Sequence, residues 1–244
     1  MTENPKQVTA EIEGQLNSAE RAFITATILN APHKPRVALE VGTWLGGGST
    51  LHILRALDQN GTGHLFGIEA DASIYQRMKE NIETQAGGAA KRFTPVFGFS
   101  EDAIPALLAK QPADFQLDFV FLDGGNNPME QIIEFRLLEK YIPVGGQLMA
   151  HDARKRKGKF LVPMLQRLDN WETQMHDISE VGLFYAKKIR PAPSPESSRA
   201  AARCLRTLRL EPKEAVSALL PRWACALILK LMPRGLAHSL GEEK

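Results

Sequence analysis

The stretch Glu40-Val-Gly-Thr-Trp-Leu-Gly-Gly-Gly-Ser-Thr50 constrains this chain more than any other, because a strand-like run over residues 36–41 leads straight into four glycines. Residues without a Cβ tolerate positive φ and let another group come close to the backbone. A helix starting at Ser49 would aim its unpaired N–H groups at whatever sits in the turn. The spacing Gly42-x-x-x-Gly46 differs from the Gly-x-Gly-x-x-Gly expected where a pyrophosphate sits on the helix. The turn is therefore a small-molecule cradle in outline, with its ligand undecided.

Residues 36–189 continue the alternation this turn begins. Apolar strand-like runs fall at 36–41, 64–69, 93–97, 117–122, 147–151 and 181–187, with helical spacing at 49–57, 73–84, 103–109, 129–141 and 158–170. Alternation of this kind predicts an α/β chain: a doubly wound, mostly parallel, Rossmann-like sheet with helices on both faces, followed by a C-terminal helical extension. The expected division is an N-terminal helical cap over 1–35, a core over 36–190, a Pro/Ser linker over 191–198 and a basic amphipathic tail over 199–244. Within the cap, 10–29 reads as one helix, with Ile12, Leu16, Phe23, Ile24, Thr27 and Ile28 on its packed face.

A net charge of +2 gives no global reason to expect nucleic acid as partner, so any basic function is local. Cys204 and Cys225 fit neither a zinc knuckle nor a disulfide framework, and Met1 to Leu16 lacks the pattern of a signal peptide. No segment reaches the roughly 20 apolar residues that span a bilayer, and the expected location is cytoplasmic. In the tail Arg199, Arg203 and Arg206 share one helical face, while Ala201, Leu205 and Leu208 lie nearer the other. The favoured reading docks the tail on the core or on a second copy, as in a homodimer; peripheral contact with a membrane surface is the alternative.

The chemistry-bearing residues cluster at expected strand ends. Glu69 closes the second strand, where a doubly wound sheet places an acid against two ribose hydroxyls; NAD and S-adenosylmethionine both present such a ribose. Asp123 ends the fourth strand and Asp152 the fifth. Adjacent parallel strands lie about 5 Å apart, so the two carboxylates can converge on one hard cation, for which Mg²⁺ is suited. A metal there would lower the pKa of a substrate hydroxyl and orient its oxygen. His151 is the nearby group that titrates near neutrality, hence a candidate base. The basic run Arg154-Lys-Arg-Lys-Gly-Lys159 falls at the same rim, where Arg154 and Lys155 would attract an anionic substrate.

The glycine turn, with Glu40 before it, resembles motif I of class I S-adenosylmethionine-dependent methyltransferases. Gly98-Phe-Ser-Glu-Asp-Ala-Ile-Pro105, followed by Leu117 to Asp123, resembles the corresponding stretch of catechol O-methyltransferase and its relatives. Asp123-Gly-Gly-Asn126, Gly145-Gly146 and His151-Asp152 together resemble bacterial small-molecule O-methyltransferases, including those acting on macrolide and aminocoumarin sugars. The resemblance covers roughly residues 36–189. It implies S-adenosylmethionine held by Glu40, Gly42, Thr43, Gly46, Ser49, Glu69, Ser100, Glu101 and Asp123, with Ser100 and Glu101 at the adenine. It further implies Mg²⁺ on Asp123 and Asp152, and a catalytic set at Asn126, His151 and Asp152.

Two positions depart from that pattern. Asn126 stands where the relatives carry His or a catalytic Lys, and it cannot act as a general base; Ala153 stands where a third metal ligand would follow Asp152. The expectation is an O-methyltransferase of a small, anionic or sugar-containing acceptor. A metal-independent enzyme using His151 and a non-catalytic protein binding S-adenosylmethionine or RNA are the alternatives.

Overall fold

The structure, a computed structural model, describes residues 12–125 and 127–210. Asn126, the first part of the expected cap and most of the expected tail, with Cys225, lie outside the described residues.

Seven strands form one sheet: β1 (Val37–Val41), β2 (His64–Glu69), β3 (Phe93–Phe97), β4 (Phe119–Leu122), β5 (Gln147–Ala150), β6 (Trp171–His176) and β7 (Leu183–Lys188). Their order is β3-β2-β1-β4-β5-β7-β6, with β1 to β5 parallel and β7 antiparallel to both of its neighbours. The central strands are buried on both faces, as parallel strands covered by helices must be. Val120 and Leu122 of β4 join Leu39, Leu148 and Phe135 in one core, while Phe119 and Phe121 join Ala38, Leu65, Ile53 and Ile24 in the other.

The helices are α1 (Ser18–Leu29), α2 (Thr50–Gln59), α3 (Ala72–Gln85), α4 (Ser100–Leu108), α5 (Glu130–Leu138), α6 (Gly158–Leu165) and α7 (Pro195–Thr207). Three boundaries differ from the sequence reading, each for a local reason. α1 does not extend back to Ala10, because Asn17 and Glu20 close a capping box: Glu20 N–H donates to Asn17 Oδ1 and Asn17 N–H to Glu20 Oε2, both at 2.9 Å. Ile12 and Leu16 are still buried, but in a segment without helical structure.

α6 ends at Leu165, short of the expected 170, and β6, which the sequence reading did not include, follows at Trp171. It is an edge strand on which Trp171 is buried and Glu172 and Gln174 are exposed, so it offers a polar sequence with no strong strand signal. α7 begins inside the expected linker, with Pro195 in its first turn and Ser194 capping Ser197 N–H at 3.1 Å. It packs on α6, burying Ala201 and resting Leu205 and Leu208 on the first core.

Candidate active site

The carboxyl ends of β1, β2, β3 and β4 open onto a cavity of about 230 Å³, lined by Gly42, Trp44, Glu69, Gly98, Ser100, Asp123, Gly124, Glu130 and Lys157, among others. At its β1 edge the glycine turn is held from two sides. Gly42 and Gly46 have φ of +86° and +88°, the left-handed region that excludes most side chains. A Cβ on Gly42 would also lie 2.4 Å from the carbonyl oxygen of Asp123, so this glycine lets the ends of β1 and β4 meet.

The other two glycines answer to a different partner. A Cβ on Gly47 would lie 2.1 Å from the carbonyl oxygen of Ile12, and one on Gly48 3.3 Å from Leu16. The turn is thus backed by the segment ahead of α1, whose Gln15 reaches the cavity lining.

Glu69 is fixed by three backbone donors. Trp44 N–H donates to Oε2 at 2.9 Å, while the N–H groups of Ala70 and Asp71 donate to Oε1 at 2.9 and 3.0 Å. Trp44 takes φ of 45°, rare for a bulky side chain, at the point where its N–H reaches this carboxylate. Glu40 lies beneath the turn, fully buried. Burial pushes its carboxyl up to about 8, only partly offset by the Ser49 and Thr50 hydroxyls, and its Oε2 meets no donor in good geometry.

Between β4 and β5 stands a five-residue charge network. His151 Nδ1 donates to Asp123 Oδ1 at 3.2 Å and Nε2 to Glu20 Oε1 at 3.1 Å. Lys157 Nζ lies 2.9 Å from Asp123 Oδ1 and 2.8 Å from Asp152 Oδ2. Burial alone would lower the His151 pKa, but the bonds to Asp123 and Glu20 outweigh it and hold the ring at about 10. Burial likewise opposes the charges of Asp123 and Lys157, yet their mutual attraction pulls the Asp123 carboxyl below and the Lys157 ammonium above its ordinary value. Asp152 reaches Lys157 from a backbone φ of 54°.

Residues 39–153 match a family model described as a methyltransferase domain. Among solved structures, the chain is 20% identical to the O-methyltransferase TomG from Streptomyces achromogenes, involved in tomaymycin synthesis and crystallised with SAM. That alignment covers 72% of this chain and 82% of that one, with a TM-score of 0.59. An O-methyltransferase from Bacillus cereus in complex with SAH is 18% identical over 71% of this chain and 82% of its own, at a TM-score of 0.58. No curated protein matches the chain in sequence. The fold is that of the class I methyltransferases.

In this methyltransferase fold, the expected cofactor residues fall into three groups. Gly42, Glu69, Ser100 and Asp123 line the cavity. Glu40, Thr43 and Ser49 are buried behind it, with Ser49 donating to Glu40 rather than capping α2, and Gly46 turns the chain beside Ile82. Glu101 is an exposed acid of the first turn of α4, outside the lining. The residues present fit S-adenosylmethionine: Glu69, oriented by three backbone donors at the cavity wall, offers its carboxylate to a ribose.

The residues do not fit a resident Mg²⁺. Asp123, His151 and Asp152 do bring ligand atoms within 4.8 Å of one another. However, the Lys157 ammonium already stands between the two carboxylates, and both ring nitrogens of His151 are engaged by carboxylates. Ala153 turns into the first core, where Gly158 packs on it closely enough that a Cβ there would lie 2.0 Å from the Ala153 carbonyl oxygen.

The same contacts remove His151 as a general base, since an imidazole that donates from both nitrogens has no lone pair to offer. Arg154 pairs with Asp177 and rests its stem on Gly182, while Lys155 is exposed; neither lines the cavity. The sequence reading missed Glu20 and Lys157. Glu20 was visible as the acid of an Asn17-x-x-Glu20 capping box, whereas nothing distinguished Lys157 from its basic neighbours except the Gly158 that follows it.

Proposed function

We propose that the protein is an S-adenosylmethionine-dependent methyltransferase acting on a hydroxyl of a small-molecule acceptor. The observation that carries this reading is Glu69, a carboxylate pinned by three backbone N–H groups at a strand end of a class I methyltransferase fold and facing the cavity. Accepting two of these donors on Oε1 and one on Oε2 leaves it oriented, with a lone pair on Oε2 for a ribose hydroxyl.

When bound, S-adenosylmethionine supplies an electrophilic sulfonium methyl group. The chain's own residues then have two tasks. Positioning is the first, because an in-line displacement gains most of its rate from holding the nucleophile in register; the glycine turn, Ser100 and Glu69 fix one side and the Asp123 to Lys157 network the other. The second is charge. The acceptor oxygen loses a proton, and a cation beside it favours that loss. Asp152 would take the proton: bonded to Lys157, and with its side chain 23% exposed, it is the most exposed carboxylate of the network.

Calorimetry with S-adenosylmethionine, and with NAD as control, tests the cofactor. Glu69→Ala should weaken S-adenosylmethionine binding about 10- to 100-fold, the worth of hydrogen bonds to a charged group. Equal affinity of the two proteins, or binding of NAD in preference, would refute the assignment. Methyl-labelled cofactor and a panel of hydroxylated acceptors then identify the substrate.

A further inference from the structure

We propose that Lys157 takes the place of a divalent cation in this site, so that the protein is metal-independent and the Lys157 ammonium itself meets the acceptor oxygen. The inference rests on the methyl-transfer reading for the identity of that oxygen, and on the geometry alone for the exclusion of metal.

The two strand-end carboxylates that a metal would need are both spent on one nitrogen, at 2.9 and 2.8 Å. The arrangement is built around that nitrogen. Gly158 lets the turn after β5 fold back over Ala153, because any side chain there would meet the Ala153 backbone, and this return brings the Lys157 side chain to a position only 8% exposed. Asp152 adopts a left-handed backbone, the conformation from which its carboxylate reaches Lys157. Further along, Asp123 Oδ1 is shared with His151, which in turn is held by Glu20.

An ammonium has three N–H donors, and the two carboxylates take one each. The third makes only a long 3.5 Å contact with the Asp123 carbonyl oxygen, and because Lys157 lines the cavity it can turn from that contact to an acceptor oxygen. The transfer then balances without metal: the oxygen–methyl bond forms as the carbon–sulfur bond breaks, the bonding pair stays on sulfur, and the hydroxyl proton passes to Asp152 and on to water.

The test is a Mn²⁺ titration of the full chain, followed by electron paramagnetic resonance, alongside turnover with and without EDTA. The wild-type protein should show no saturable Mn²⁺ site and should keep its rate in chelator. Lys157→Ala, which frees both carboxylates, should bind Mn²⁺ at least 10-fold more tightly than wild type. Lys157→Met should lower kcat about 100-fold or more, as loss of one preorganised donor to a developing oxyanion does, with S-adenosylmethionine affinity little changed. A saturable wild-type Mn²⁺ site, or a chelator-sensitive rate restored by Mg²⁺, would overturn the proposal, and neither measurement needs a variant to fold. Failure to bind S-adenosylmethionine would instead refute the methyl-transfer reading, leaving the Mn²⁺ result to decide the metal.

Discussion

Gly47→Ala is the substitution whose effect follows most directly from the geometry. Gly47 does not hold a positive φ, so alanine is conformationally acceptable there. What it lacks is room: its Cβ would lie 2.1 Å from the Ile12 carbonyl oxygen and 2.4 Å from that of Glu13, both backbone atoms that cannot swing aside. A Cβ on Gly14 would meet Gly47 in the same way, at 2.3 Å. The segment ahead of α1 must therefore lift, drawing Ile12 and Leu16, now 7% and 4% exposed, out of the second core. Exposing a buried aliphatic side chain costs about 1.5–3 kcal/mol, so complete detachment would cost roughly 3–6 kcal/mol and partial lifting less. Urea unfolding measures the loss, and amide exchange at residues 12–16 locates it. Gly88→Ala is the control, since nothing lies within 4 Å of its Cβ and no positive φ is involved. If Gly47→Ala matched that control in both stability and exchange, the proposed backbone contact would be wrong.

Three further outcomes are expected. Glu40 titrates near 8 when folded against 4.5 ordinarily, so the unfolded chain releases its proton first, and stability should fall as pH rises from about 4.5 to 8. Glu40→Gln should flatten that slope in urea midpoints, by at most about 5 kcal/mol from a difference of about 3.5 pH units at roughly 1.4 kcal/mol each. His151, held at about 10 against 6.5, contributes stability that is complete below pH 6.5 and lost as pH rises through 10. His151→Gln should be less stable at pH 6 and lose less on going to pH 10; parallel curves would mean that the ring is not held charged. Ser194→Ala removes the cap of α7 and should cost about 1 kcal/mol, seen as faster amide exchange at Ser197 and Ser198.

The sheet was legible because its signals are local. Apolar runs such as 117–122 and glycines at strand ends mark parallel strands whatever surrounds them, and the five parallel strands all lie within a few residues of their expected bounds. β6 was not legible, because an edge strand buries one face only and Trp-Glu-Thr-Gln-Met-His lacks an apolar run. The cofactor side of the site followed from strand ends in the same way, through Gly42, Glu69 and Asp123. The opposite side did not. Whether two carboxylates hold a metal or an ammonium depends on which of four basic residues between Arg154 and Lys157 folds inward, and that is decided by the Gly158 contact with Ala153, a matter of packing rather than of composition. Asn126 lies outside the described residues and leaves its expectation where the sequence put it.

The charge network also bears on how far likeness to other proteins reaches. The stretch matched as a methyltransferase domain, residues 39–153, holds Asp123, His151 and Asp152, but stops short of Lys157 and begins after Glu20. A relative recognised by that stretch alone shares the carboxylates without any assurance of sharing what neutralises them. Inheritance of the cradle and inheritance of its electrostatics are therefore separate questions. In any newly met homologue, the residue aligned with Lys157 and the acid at the head of the first helix would sort lysine-centred sites from metal-centred ones before any enzyme is purified.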